Sequence, residues 1–100
     1  MSREQRIHEQ EQRLDQLGAR VTQLQDELER ADTKLRETYR TELKALVKRR
    51  GEAQAQLAQL RLQEAESWQQ QTLLTGVAQV LDEIGQRLDR LFTGVRGHKR

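Results

Sequence analysis

The chain predicts an all-α fold in which a long coiled-coil helix is followed by a shorter amphipathic C-terminal helix, arranged as an oligomer or as a helical hairpin. Three observations predict it. Proline is absent and aromatic residues make up 3% of the 100 residues, so the residues that bend backbones and fill β-sheets are scarce. Glutamine occurs fifteen times and asparagine never, and Gln, Glu, Arg, Leu and Ala are all good helix formers. Apolar positions also recur at alternating steps of three and four, the spacing that lines one helix face. Low hydropathy with 34% charged residues is also the composition of disordered chains, but a net charge of only +2 and so regular a stripe argue for helix.

The first predicted element covers residues 3–66. Its seam runs through Ile7, Leu14, Leu17, Val21, Leu24, Leu28 and Leu35, with Gln10 the interruption in the a/d frame. One slim seam buries too little to order so long a rod by itself, so the seam is expected to meet another helix in an oligomer. The next strong positions, Tyr39, Leu43, Leu46, Ala53, Leu57 and Leu60, arrive one residue late. The discontinuity, "RETYRTE", has neither Gly nor Pro, and reads as a skip inside a continuous helix. Within "KRRG", Gly51 suits a turn, yet the frame from Leu43 to Leu60 passes through it unshifted. The helix is therefore expected to continue through Gly51, with Arg50 extending its charged end from the seam toward water. An unbroken helix over 3–66 would be about 95 Å long.

Past Leu60 the seam turns polar at Glu64, Ser67 and Gln71, which places a boundary between 66 and 73, with Trp68 expected to cover the junction. A second helix is predicted over 72–93. Its apolar face, Leu74, Val77, Leu81, Ile84, Leu88, Leu91 and Val95, is broadened by neighbours such as Phe92, and a stripe so wide requires a groove or several helices. Residues 94–100 are expected to be a flexible basic tail, because "TGVRGHKR" carries two glycines and three cations.

Charge divides the chain. Between 34 and 50 there are seven cations against Glu37 and Glu42, and Arg36, Arg40, Lys44 and Lys48 form a basic ladder spaced by four. From 51 to 89 acidic residues predominate, with Asp82, Glu83 and Asp89 prominent. The two segments are expected to face each other in an antiparallel arrangement, orienting the helices more than stabilising them.

Sites for chemistry are not predicted. Without cysteine there are no disulfides or thiolate metal sites. Glu4, His8 and Glu11 share a helix face, which reads as a solvated first turn rather than a metal site. No catalytic residue, cofactor or metal is expected. Nucleic acid is disfavoured as a partner, since the cations have no interleaved aromatics to stack on bases. No apolar run approaches the ~18 residues of a membrane span, and the opening residues have no apolar h-region, so a cytoplasmic location is expected.

From Tyr39 onward, "YRTELKALVKRRGEAQAQLAQLRLQEAESWQQQTLLTGVAQVLDEIGQRLDRLF" is similar to small bacterial coiled-coil proteins, some described as stress-response proteins. The matching positions are Tyr39, Leu43, Arg49, Ala53, Leu57, Leu60, Trp68, Gly76, Val77 and Leu88. The chain departs from their pattern at Gly51, where an acidic residue is usual, and at "QQQTLL", which replaces a more acidic run. The resemblance implies a helical scaffold without catalytic residues. The expected function is a non-catalytic structural or protein-interaction module that self-associates and engages other helical proteins. A membrane surface, met by the amphipathic C-terminal helix, is the alternative partner.

Overall fold

The computed structural model describes residues 2–62 and 68–97, the side chains of Trp68 and Gln69 excepted. They form three helices, α1 (Arg3–Glu29), α2 (Thr33–Leu62) and α3 (Trp68–Gly97), and each helix packs on both of the others. The protein is all-α, and a three-helix bundle. Ser2 opens α1 with a capping box. Its Oγ accepts from the Gln5 N–H at 3.2 Å, and Gln5 Oε1 accepts from the Ser2 N–H at 3.1 Å.

The long helix predicted over 3–66 is broken at 30–32, and α2 runs back along α1. At the end of α1 the Arg30 N–H donates to the Asp26 carbonyl at 3.3 Å, and the Ala31 N–H to the Leu28 carbonyl at 3.1 Å. Asp32 then opens α2, its Oδ1 accepting from the Leu35 N–H at 2.8 Å, which satisfies one of the orphan donors of a helix start. The described residues include no positive φ, so this reversal needs no glycine. The late arrival of the second seam follows directly: Leu28 and Leu43 lie on different helices, and no skip within one helix is involved.

Pairings between helices fix their directions. The Arg3 Nη2 donates to the Leu60 carbonyl at 2.8 Å, and Arg61 pairs with Glu11, so α1 and α2 are antiparallel. Between α1 and α3 the ion pairs are Arg13–Asp82, Arg20–Asp89 and Glu27–Arg96. Both members advance by seven each time, which makes the two helices parallel and keeps them in register for two heptads. The bundle measures 53 × 20 × 17 Å, against the ~95 Å of the predicted rod.

The core is one cluster. Ile7, Leu14, Leu17, Val21, Leu24 and Leu28 of the predicted seam are buried in it, together with Leu43, Leu46, Ala53, Leu57 and Leu60 of α2. Leu35, the last seam residue, is partly covered and packs against the cluster. All seven residues of the predicted C-terminal face, Leu74, Val77, Leu81, Ile84, Leu88, Leu91 and Val95, are buried. The helix that the seam requires is therefore supplied twice over by the same chain.

Two boundaries differ from those expected. α3 is already helical at Trp68, ahead of the predicted start at Thr72, while the junction at 63–67 and the Trp68 ring expected over it lie outside the described residues. At the other end, Gly94–Gly97 complete α3 rather than opening a flexible tail, because Val95 is 1% exposed and Arg96 Nε reaches Glu27 Oε1 at 3.1 Å. Residues 98–100 lie outside the described residues. Gly51 sits within α2, which passes through it unbroken.

Candidate functional site: the outer face of α2

The three cations of "KRRG" point in three directions. Arg49 Nη2 donates to Glu83 Oε2 of α3 at 2.9 Å. Arg50 lies across α1, its Nε donating to the Leu14 carbonyl at 3.2 Å, so its charged end rests on a backbone instead of reaching for water. Lys48 is exposed. Gly18 explains the path of Arg50, since a Cβ at residue 18 would come within 2.5 Å of the Arg50 Nη2. A glycine that costs the helix about 1 kcal/mol here makes room for a side chain crossing from α2.

Most arginines that face another helix are paired across it. Arg13 and Arg20 take Asp82 and Asp89, Arg61 takes Glu11, and Arg96 takes Glu27. Arg96 and Arg20 also lie over the Phe92 ring, at 4.7 and 5.6 Å from its centroid, and help to cover this ring, which is 7% exposed. The guanidinium of Arg61, donating to both Glu11 oxygens, holds the Glu11 carboxyl below its ordinary range, and the hydrogen-bonded Glu11 carboxylate in turn raises the pKa of Arg61. With Glu11 so engaged, the face shared by Glu4, His8 and Glu11 is not assembled for a metal, and among the described residues no group of metal-ligating side chains comes together.

The basic ladder behaves differently. Arg36, Arg40, Lys44 and Lys48 are all exposed. Arg36 Nη2 donates to Thr33 Oγ1 at 3.2 Å within its own helix, and among the described residues Arg40, Lys44 and Lys48 make no ion pair. The expected meeting of the basic segment 34–50 with the acidic residues of α3 occurs at Arg49–Glu83, between antiparallel α2 and α3, but the ladder takes no part in it. The α1 arginines occupy Asp82 and Asp89, and Glu83 is shared by Arg49 and Arg87. Packing of α3 puts Asp82 and Asp89 beside α1 and Glu83 beside Arg49 of α2, away from the ladder's exposed side of α2.

Beside the ladder a shallow groove of about 750 Å³ runs between the end of α1 and the start of α2. Leu28 and Leu43 lie in its floor, Arg36, Arg40 and Lys44 on its α2 wall, and Asp26 and Glu29 on its α1 wall. Val47, at 43% exposure, continues the apolar floor outward. Sequence reasoning passed over Val47 because it lies off the seam. Its signal is an aliphatic residue held between two cations, Lys44 and Lys48, directly after the buried Leu46. The groove itself has no sequence signal, since it exists only where the chain reverses.

The apolar face of α3, which carried the expectation of membrane adsorption, is turned into the core. No helix among the described residues is long and apolar enough to cross a membrane. Comparison of the chain with protein-family models, with curated proteins and with solved structures finds no match.

Proposed function

We propose that this chain is a non-catalytic protein-interaction module whose three helices complete one another and whose working surface is the outer face of α2. One observation carries the reading: the apolar seams are buried within a single chain, whereas the ladder cations and Val47 remain exposed. Like charges at i, i+4 destabilise a helix, so three such pairs in succession (36–40, 40–44 and 44–48) are a feature the fold itself does not use. The resemblance of the C-terminal three fifths to small bacterial coiled-coil proteins supports the same reading. Self-association through the Ile7–Leu35 seam would require the bundle to open, because that seam packs within one chain.

The test separates a structural ladder from a functional one. Replacing Arg36, Arg40, Lys44 and Lys48 together by Gln should leave the helical circular dichroism unchanged and the melting temperature equal or higher. A fall of several degrees would show that the ladder serves the fold, and the reading would be withdrawn.

A further inference from the structure

We propose that the groove between α1 and α2 is a docking site for an acidic amphipathic helix of a partner protein. It would set carboxylates against Arg36, Arg40 and Lys44 and an apolar side chain against Val47. This inference rests on the interaction reading above and names the chemistry of the partner. Charge complementarity carries it. At Arg13, Arg20, Arg49, Arg61 and Arg96 an arginine facing another helix meets a carboxylate across the gap, whereas Arg3 and Arg50 meet a backbone carbonyl. Along the groove Arg36, Arg40 and Lys44 are presented at helical spacing, and none of them forms an ion pair with Asp26 or Glu29 on the α1 wall. A fourth helix laid there would complete the pattern that joins the other three.

Dimensions agree. From Thr33 to Val47 the α2 wall spans about 21 Å, roughly four helical turns, the length over which groove-bound helices present anchors at i, i+3/i+4 and i+7. Val47 offers one apolar contact, flanked by Leu43, which is 9% exposed. Asp26 and Glu29 on the opposite wall orient the occupant, so its acidic edge lies toward α2 and its other edge is neutral or basic.

A second copy of this chain fits less well. Ladder against ladder brings like charges together, and the acids Asp82, Glu83 and Asp89 are already paired with arginines. A polyphosphate backbone would meet the carboxylates of Asp26, Glu29 and Glu37 that also line the groove.

The experiment titrates the full ¹⁵N-labelled chain with a synthetic amphipathic helix bearing glutamate at every fourth position beside a leucine stripe. Parallel titrations use the same peptide with lysine for glutamate, phosphatidylserine vesicles, and duplex DNA. Saturable amide shifts confined to the groove residues of α1 and α2 are expected with the glutamate peptide, weakening as salt rises. Arg36→Gln/Arg40→Gln/Lys44→Gln should weaken binding about tenfold, the sum of three exposed ion pairs. Val47→Ser, a surface change, should weaken it as well while the melting curve stays in place. Shifts elsewhere on the bundle, no saturable binding, equal binding by the triple variant, or tighter binding of vesicles, DNA or the lysine peptide at these residues would each overturn the proposal. Failure here with an unchanged melting curve for the ladder variant leaves the broader interaction reading standing; a ladder variant that loses its fold removes both.

Discussion

Gly51 and Gly94 both lie within helices, yet replacing them by alanine should have opposite effects because of what lies over each. Nothing approaches within 4 Å of a Cβ built on Gly51, so Gly51→Ala should stabilise the protein by about 1 kcal/mol, the ordinary gain in helix propensity. At Gly94 the added Cβ meets the hydroxyl and ring of Tyr39, and overpacking of that kind costs about 1–3 kcal/mol. Denaturant titrations should therefore move the midpoint up for the first substitution and down for the second. Glu11 supplies a pH dependence on the same scale. Its folded-state pKa lies below the ordinary 4.5, chiefly because Arg61 donates to it. A carboxyl depressed on folding adds stability above its unfolded pKa and loses it as pH falls through the folded value. Glu11→Gln should flatten the fall in melting temperature below about pH 4.5; an unchanged acid limb would show that the Arg61 pairing does not contribute.

Helices are held in register by sign as well as by spacing. α1 presents Arg13, Arg20 and Glu27 at intervals of seven, and α3 answers with Asp82, Asp89 and Arg96. Sliding α3 by one heptad in one direction would set Glu27 against Asp89; in the other it would set Arg20 against Arg96. The sign change at the third pair penalises both slips, although apolar seams repeating every seven residues would tolerate either. Glu27→Arg should lower stability, and adding Arg96→Glu should recover part of the loss, with a coupling of about 0.5–1 kcal/mol in a double-mutant cycle. A cycle with no coupling would assign the register to apolar packing alone. The turn between α1 and α2 shows how little local chemistry a reversal needs. Asp32 supplies one side-chain acceptor, and the rest is main-chain bonding at negative φ.

For the whole molecule, the Cα radius of gyration is 15.8 Å, whereas a straight helix of about 95 Å would have one near 27 Å. Small-angle scattering at several concentrations should give a value slightly above the Cα figure and independent of concentration. A radius near that of the rod would require that α1 and α2 form one continuous helix. The elongated outline follows from three helices of similar length lying side by side, and it leaves long grooves between neighbours. Two of these carry inter-helix ion pairs to α3, at Arg13–Asp82 and Arg49–Glu83. The groove near the α1–α2 turn carries the exposed ladder instead.

What the amino-acid order determined by itself was which residues are buried. Ile7 to Leu28, Leu43 to Leu60 and Leu74 to Val95 were legible because the three-and-four spacing of apolar side chains reflects burial on a helix face, whatever covers that face. Passage of the helix through Gly51 was legible for the same reason. The helix starts at Ser2 and Asp32 were not read from the spacing, although both are N-cap residue types. A lone Asp is nevertheless a weak signal in a chain so rich in charge, and the missing glycine and proline pointed the other way. Only the tertiary structure decided that the covering helix comes from the same chain, since a seam buried by a neighbour and a seam buried by a folded-back segment obey the same periodicity. That decision took Asp82 and Asp89 for α1 and left Arg40, Lys44 and Lys48 facing outward. Charge partnership depends on which helix arrives opposite, and helix spacing along one strand of sequence does not encode it.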